Sequence, residues 1–252
     1  MKPLIMILAC LAMFVSPAAG AGGQSIAYAV NGQDYEGYFI SPSDGAPLVL
    51  LIHDWDGLTD YEIKRARMLS DLGYAVFAAD LFGKGIRPTE VKDKRQHTGE
   101  LYKDRTKMRA LMKGALAQAR KLGADTGNAV AAGYCFGGAA VLELSRSGEA
   151  LKGAATFHGG LKTPEGQDWS DAKGELLIMH GSADTAITLD DFAGLAKELE
   201  AAGIGHEMIT YSGAPHAFTV FGSSRYHEAA DKKSWARFVR FLSERLKGKG
   251  PE

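Results

Sequence analysis

Residues 128–140 read NAVAAGYCFGGAA, and this stretch decides the fold. An apolar run ends at a glycine-flanked cysteine and small residues then begin a helical pattern, which predicts a buried strand, a tight turn and a helix. Gly133, Cys135 and Gly137 have the G-x-S-x-G spacing of a nucleophile elbow, with cysteine in place of serine. Such a turn needs residues without side chains beside it, and a helix N-terminus favours a thiolate.

The motif alone leaves other interpretations of Cys135 open. Cysteine is among the most buried residue types, and glycines also serve close contact between a helix and a strand. A dinucleotide-binding turn is disfavoured because the G-x-G-x-x-G spacing is absent. The second cysteine of the chain, Cys10, lies in a segment that we expect to be removed. An intramolecular disulfide is then excluded, and a redox role would lack a resolving cysteine.

The N-terminus reads MKPLIMILACLAMFVSPAAGAGG, which is typical of a signal peptide. One lysine precedes an apolar run over residues 4–15, and Ala19-Gly20-Ala21 fits a small-x-small cleavage site, so residues 1–21 are predicted to be removed. The run is short for a membrane span of ~20 residues. An uncleaved anchor and a lipoprotein site at Cys10 are the alternatives. We therefore expect a periplasmic or secreted protein without stable membrane association.

The composition is that of a globular protein with apolar content for one sizeable core. Of the 252 residues, 46% are hydrophobic and 23% are charged, and the formal net charge is -1. A net charge near zero gives no support for a nucleic-acid partner. Residues 22–252 contain no linker, repeat or low-complexity stretch, so we expect a single domain that is a monomer or a small homo-oligomer.

Short apolar runs alternate with helical patterns along the mature chain. The predicted strands cover residues 26–31, 35–40, 47–53, 74–80, 128–134, 153–159, 175–181 and 205–211, with a hairpin turn at Asn31-Gly32. The predicted helices cover residues 60–73, 100–123, 137–148, 189–203 and 227–248, and the longest predicted loops cover 81–99 and 160–172. This order predicts an α/β fold with a doubly wound, mostly parallel sheet and an antiparallel N-terminal hairpin.

A nucleophile in such a turn needs a base and an orienting acid, which follow it on loops after later strands. One strand leads into a loop with Asp184, in the segment LLIMHGSADTAIT. The next strand leads into a loop with His216, in the segment MITYSGAPHAF. Alone, Asp184 is also compatible with a helix cap and His216 with a structural role. With Cys135 they predict a catalytic triad. The other histidines of the strand regions are interpreted as packing or surface residues: His158, His180 and His206.

The chain resembles the dienelactone hydrolase family of α/β-hydrolases over residues 27–246. The most specific element is GYCFGG around Cys135, because a cysteine in this turn is unusual elsewhere in the superfamily. Further matching segments are HGSADTAIT, APHAF, LIHDWDGL and AADLFGKG. The resemblance implies a hydrolase of small-molecule carboxylic esters or lactones that uses no cofactor. A metal site at HDWD is disfavoured because no further ligand of matching character lies nearby in the sequence.

The resemblance also implies a role for each site residue. Cys135 would attack the carbonyl carbon and form an acyl-enzyme thioester, His216 would transfer the proton, and Asp184 would orient the imidazole. The backbone N–H groups of Phe136 and Trp55 would form the oxyanion hole, in which one donor typically contributes ~3–4 kcal/mol.

The chain departs from the family at the substrate pocket. Asp54 stands where the family commonly has a glutamate that contacts and helps to activate the resting thiol, and its side chain is one methylene shorter. Lys84 and Thr219 stand where two arginines hold a substrate carboxylate, and only the lysine can attract an anion. Tyr134 and Phe218 are candidates for an apolar pocket wall.

These departures favour a carboxylesterase with its own acyl preference. The alternative within the same class is a true dienelactone hydrolase, a carboxymethylenebutenolidase. The alternative from another class is a binding protein that has kept the fold and lost the chemistry.

Overall fold

Eight strands form one sheet in the computed structural model of the protein, which describes residues 22–246. The predicted signal peptide, with Cys10, lies outside the described residues. The strands are β1 (Gln24–Val30), β2 (Gln33–Ile40), β3 (Pro47–Ile52), β4 (Ala75–Ala79), β5 (Asp125–Tyr134), β6 (Gly153–Phe157), β7 (Glu175–Gly181) and β8 (His206–Tyr211). All eight were predicted, and the apolar runs of β3, β4, β6 and β7 are buried almost throughout.

The strand order across the sheet is β1-β2-β4-β3-β5-β6-β7-β8. The pairs β1–β2 and β2–β4 are antiparallel, and the other neighbours are parallel. Asn31 and Gly32, between β1 and β2, have φ values of 51° and 78°. Positive φ at both central residues is what a two-residue type I′ hairpin turn requires. The predicted fold class is confirmed.

Helices cover both faces of the sheet. They are α1 (Asp60–Ser70), α2 (Val91–Lys103), α3 (Arg105–Lys121), α4 (Phe136–Arg146), α5 (Leu189–Ala202) and α6 (Glu228–Arg245). One core cluster joins α3, α4 and α5 to one face, through side chains such as Met112, Val141 and Leu195. The second cluster joins α1 and α6 to the opposite face, through side chains such as Leu69 and Phe238. This is the three-layer arrangement of a doubly wound sheet.

The predicted single helix over 100–123 is wrong, and so is part of the predicted loop over 81–99. Two helices, α2 and α3, occupy this region and meet at Asp104, whose φ of -113° and ψ of 79° break the helical path. The Asp104 side chain accepts a hydrogen bond from the N–H of Lys107 and so caps α3. The predicted loop over 160–172 contains no helix or strand.

The parallel strands end at one edge of the sheet, and the loops that follow them meet there. The segments after β3, β5, β7 and β8 carry Trp55, Cys135, Asp184 and His216 respectively. Residues far apart in sequence are therefore adjacent in space. Within residues 22–246, no helix has the length and apolar character needed to cross a membrane.

Candidate active site

Cys135 lies at a sharp turn between β5 and α4. Its φ of 51° and ψ of -111° fall outside the regions that residues with a side chain usually adopt. Its N–H donates to the carbonyl oxygen of Phe157, at 3.0 Å, which ties the turn to the end of β6. Cys135 is partly exposed and its thiol is free. This geometry presents the sulfur at the sheet edge, as the sequence predicts.

Two glycines beside Cys135 allow this turn to form. A Cβ atom at Gly133 would lie 2.2 Å from the carbonyl oxygen of Gly137, and one at Gly137 would lie 2.3 Å from that of Ile52. Both contacts are with backbone atoms, which cannot turn aside as a flexible side chain can. The glycine spacing in the motif is therefore a packing requirement of the strand–turn–helix unit.

His216 lies between Cys135 and Asp184. Its Nε2 is 3.1 Å from Sγ of Cys135, and its Nδ1 is 2.8 Å from Oδ2 of Asp184. The imidazole therefore contacts a sulfur on one side and a carboxylate on the other. This is the spatial order that a nucleophile, a base and an orienting acid require.

Asp184 is held in place by its own loop. Its Oδ1 accepts hydrogen bonds from the N–H groups of Ala186, at 2.8 Å, and Ile187, at 2.9 Å, while Oδ2 contacts His216. The following helix, α5, is capped instead by Thr188 in a capping box with Asp191. Asp184 therefore does not serve as that helix cap, and its fully buried carboxylate is fixed toward the histidine.

The contacts of His216 decide its charge. Burial alone would lower the pKa of His216, but its hydrogen bonds to Asp184 and Cys135 raise the pKa to about 10. Burial would raise the pKa of Asp184, but the hydrogen bond from His216 and those from its loop lower it below the ordinary value. Both shifts favour a protonated imidazole beside an ionised carboxylate.

An open cavity of about 480 Å³ adjoins the sulfur. It is lined by Asp54, Trp55, Asp56, Lys94, Arg95, Cys135, Ala186, His216, Ala217, Val220, Ser223 and Arg225. This volume is within the range of small-molecule sites. Within residues 22–246, no group of three or more His, Cys, Asp or Glu side chains is arranged to hold a metal ion.

The two predicted oxyanion-hole residues lie beside Cys135. Phe136 is the first residue of α4, where the N–H has no acceptor within the helix. Trp55 lines the cavity, and the carbonyl oxygen of Asp54 before it accepts a hydrogen bond from Nδ1 of buried His53 at 2.6 Å. In a trans peptide the C=O and N–H point in opposite directions, so the Trp55 N–H points away from His53.

His53 holds the peptide between Asp54 and Trp55, a contact that sequence reasoning missed. Its Nε2 accepts a hydrogen bond from the N–H of Leu81, at 3.1 Å, while Nδ1 donates to Asp54. Burial lowers the pKa of His53 to about 4, so it is neutral and keeps one donor and one acceptor. The ring therefore fixes the Asp54–Trp55 peptide. The only signal in the sequence was its position in LIHDWDGL.

Asp54 lies on the cavity wall, and within the described residues it makes no hydrogen bond to the thiol that the family's glutamate contacts. Its Oδ1 accepts the N–H of Asp56 at 2.8 Å, and the sulfur of Cys135 contacts His216 instead. Burial raises the pKa of Asp54 to about 6. Burial, together with the charge of Asp54, raises the pKa of neighbouring Glu62 to about 8. Asp54 and Glu62 thus form a buried pair of carboxyl groups.

Tyr134 and Phe218, predicted on the pocket wall, belong to the core instead. Both are fully buried and lie in the cluster under α1 and α6. Tyr134 stacks on Phe157 with ring centroids 4.7 Å apart, and Phe218 packs edge-on against His158 at 5.3 Å. The aromatic pattern could not distinguish a pocket wall from the core beneath it.

Lys84 and Thr219 do not line the cavity either. Lys84 is exposed on the loop after β4, and Thr219 is fully buried. The hydroxyl of Thr219 is engaged with the hydroxyl of Tyr61, at 2.7 Å, and Nε2 of His158, at 2.8 Å. His158 packs beside His216, with ring centroids 5.4 Å apart, and so has the packing role that the sequence suggested.

The cations on the cavity wall are residues that the sequence did not indicate. Lys94 and Arg95 lie on the part of α2 that was predicted as a loop, and Arg225 lies on the long loop before α6. Lys94 forms an ion pair with Asp56, with Nζ and Oδ1 2.7 Å apart. The element that carries two of these cations was itself missed.

The sheet order, the strained turn and the residues that meet there define an α/β-hydrolase. The chain belongs to the dienelactone hydrolase family, whose sequence profile matches residues 35–246. As a member of this family it is a carboxylic ester hydrolase. The resemblance found in the sequence is thereby confirmed.

Individual relatives show how far the similarity extends. Protein usf from Aquifex pyrophilus is 24% identical over 233 residues, which cover 89% of this chain and 99% of the relative. A dienelactone hydrolase-like promiscuous phosphotriesterase from metagenomic libraries is 27% identical, with a TM-score of 0.83 over 89% of this chain and 98% of that chain. A thermophilic esterase from Thermogutta terrifontis, 21% identical with a TM-score of 0.65, covers 93% of this chain and 99% of its own, and shares the fold.

Proposed function

We propose that the protein hydrolyses carboxylic esters or lactones of small molecules through a Cys135–His216–Asp184 triad and a thioester intermediate. The observation that carries the proposal is the position of His216, 3.1 Å from the sulfur and 2.8 Å from the carboxylate. The raised pKa of His216, about 10, favours a protonated imidazole. A thiolate at Cys135 would balance that charge, and the thiolate is the nucleophilic form.

In the first half of the reaction, the thiolate attacks the carbonyl carbon and a C–S bond forms. The N–H groups of Phe136 and Trp55 donate to the oxyanion that develops on the carbonyl oxygen. Collapse of this intermediate breaks the ester C–O bond, and the imidazolium of His216 gives its proton to the departing alkoxide. An alcohol and a thioester on Cys135 result; in a lactone, the alcohol remains attached to the acyl chain.

In the second half, His216 removes a proton from water, which attacks the thioester carbonyl carbon. The same two N–H groups hold the second oxyanion. The C–S bond breaks, the carboxylic acid leaves, and the sulfur and imidazolium return to their starting state. Asp184 remains a carboxylate throughout and keeps Nδ1 of the imidazole as the donor, so that Nε2 handles every proton.

Hydrolysis of 4-nitrophenyl esters by Cys135→Ala tests the proposal. We expect a loss of at least ~1,000-fold in kcat/KM, because without the nucleophile only binding and the oxyanion hole remain. His206→Ala is the matched control, since the His206 ring is hydrogen-bonded to the carbonyl oxygen of Ile204, away from the site. Unchanged hydrolysis by Cys135→Ala would place catalysis elsewhere, and no hydrolysis by the wild type would support a binding protein.

We expect weak or no turnover of cis-dienelactone. Lys84 lies outside the cavity and Thr219 is buried, so neither holds a substrate carboxylate where the family arginines would. Turnover comparable to that of the aryl esters would favour the alternative of a true dienelactone hydrolase.

We also propose that the protein acts outside the cytoplasm as a monomer or small homo-oligomer. The support for export is the signal-like sequence of residues 1–21. Cell fractionation of the full chain, with mass measurement of the product, tests both cleavage near Gly22 and location. A product that stays in the cytoplasm with residues 1–21 attached would contradict the proposal.

A further inference from the structure

A second cavity, of about 190 Å³, lies beside the one at the thiol. Ala186 lines both cavities, so they are neighbours. Tyr102 lines the second cavity and its ring contacts Phe136, the residue after Cys135, with centroids 5.4 Å apart. The second cavity is therefore adjacent to the cavity at Cys135.

The second cavity has positive charge that the protein only partly neutralises. Arg105 and Arg146 line it, and both are paired with Glu143, which is fully buried. The distances to the Glu143 carboxylate are 3.7 Å from Nη1 of Arg105 and 3.1 Å from Nη2 of Arg146. Arg109 contacts the same carboxylate at 2.6 Å. Three guanidinium groups thus share one carboxylate.

The arginines have donors left for a ligand. Arg146 is only 6% exposed, and it donates through Nε to Gln167 and through Nη2 to Glu143. Its Nη1 makes no hydrogen bond to an acceptor among residues 22–246. Arg105 donates through Nε to the carbonyl oxygen of Tyr102, and its guanidinium stacks on the Tyr102 ring at 4.7 Å. Both guanidinium groups are therefore held in place before a ligand binds.

The rest of the cavity wall is apolar or carries a neutralised ion pair. Leu161 and Ile187 supply apolar surface, which suits a methylene chain. Lys162 lies at the exposed rim, 3.4 Å from Asp191, so this pair neutralises itself. The excess positive charge therefore belongs to the arginines deeper in the cavity.

We propose that this second cavity is a subsite for a carboxylate at the far end of the substrate's acyl chain, held by Arg105 and Arg146. This inference rests on the proposed ester hydrolysis and names its preferred substrates, half-esters of dicarboxylic acids. Arginine binds carboxylates through charge-assisted, often paired hydrogen bonds. A bound carboxylate would relieve the repulsion among the guanidinium groups of Arg105, Arg109 and Arg146. Neither Lys84 nor Thr219 lines this cavity.

The test compares two 4-nitrophenyl esters of equal chain length, the neutral valerate and the mono-ester of glutaric acid. We expect the wild type to prefer the glutarate ester in kcat/KM by about tenfold, the usual effect of a hydrogen bond to a charged group. Arg105→Gln should abolish this preference, chiefly through KM. The control Arg240→Gln, an exposed residue of α6, should leave both rates unchanged.

Binding of free glutarate to Cys135→Ala, measured as a shift in melting temperature, tests this subsite independently of hydrolysis. We expect glutarate to raise the melting temperature, and the added Arg105→Gln change to remove the effect. If the esters are cleaved without preference and glutarate gives no shift, the subsite is overturned and the hydrolase stands. If no ester is cleaved but the Arg105-dependent shift occurs, the subsite stands and the hydrolase fails. A shift with inorganic phosphate but not glutarate would overturn the assignment to carboxylate.

Discussion

At the scale of single residues, Cys135 is held in a backbone conformation that costs free energy. A residue with a side chain at positive φ typically costs ~1–3 kcal/mol, and such residues concentrate at functional sites. The surrounding contacts maintain this conformation at Cys135, including the hydrogen bond to Phe157 and the close approach of Gly137 to β3. The reactive group is therefore positioned by backbone packing before any substrate arrives.

Gly137→Ala should destabilise the fold and lower esterase activity together. The new Cβ would lie 2.3 Å from the carbonyl oxygen of Ile52, so α4 or β3 must shift, at a cost of roughly 1–3 kcal/mol. Urea denaturation and kcat/KM measure the two effects. Gly194→Ala, in α5 with open space around its Cβ, is the control and should be neutral or stabilising by ~0.5–1 kcal/mol. Equal stability of the two variants would contradict the packing argument.

Sequence reasoning found the residues whose chemistry and chain order are distinctive. Cys135, Asp184 and His216 each follow a strand, and the C-terminal ends of parallel strands share one edge, so their meeting could be predicted. His53 could not be assigned its role, because that role depends on which backbone atoms fold around a buried ring. Arg105 and Arg146 could not be found because no motif links them.

At the scale of elements, α2 and α3 meet at Asp104, whose side chain caps the second helix. Asp104 ends α2 and caps α3, since its carboxylate accepts the N–H of Lys107 at 2.8 Å. An aspartate at an N-cap also complements the helix dipole. The exposed position leaves no packing role to compete with this function.

Asp104→Ala should destabilise the protein by ~1 kcal/mol, the usual effect of removing an N-cap. Thr106→Ala, an exposed substitution two residues further along, should change the stability by less than ~0.5 kcal/mol. Denaturant unfolding of both variants gives the comparison. If the two variants unfold at the same denaturant concentration, the capping bond contributes nothing measurable.

The strands and most helices could be predicted because burial gives them a clear hydrophobic period. The junction at Asp104 could not, since amphipathic spacing continues through it and neither glycine nor proline marks it. Helix α2 was missed because it buries only Thr98 and Leu101 and has no side-chain cap at its start. A helix with so few buried side chains has almost no periodic signal.

At the scale of the whole molecule, the buried carboxyl groups of Asp54 and Glu62 should make stability depend on pH. Their folded-state pKa values, about 6 and about 8, lie above the ordinary values of 3.8 and 4.5, so the folded state binds more protons in between. The contribution of these two carboxyl groups to stability is therefore fully present below about pH 4, falls as the pH rises, and is lost above about 8. Buried His53, whose pKa is lowered to about 4, gives the opposite slope up to its ordinary value of 6.5, so the pair is tested by a difference between variants.

Glu62→Gln should remove the share of Glu62, so that the stability of the wild type relative to the variant falls between pH 5 and 8. One proton changes the slope by up to about 1.4 kcal/mol per pH unit, and the variant removes the group with the higher pKa. Chemical denaturation across this pH range measures the difference between wild type and variant. Glu228→Gln, an exposed position on α6, is the control and should follow the wild-type profile. A difference between wild type and Glu62→Gln that stays constant from pH 5 to 8 would mean that Glu62 is ionised in the fold.

Helix α2 contributes Lys94 and Arg95 to the cavity but only two side chains to the core. The triad, in contrast, rests on glycine contacts and buried hydrogen bonds that tolerate little change. Variation can therefore accumulate on one wall of the cleft while the chemistry beside it stays fixed. Divergence of substrate range within this scaffold would begin at α2, where replacements disturb the least of the architecture.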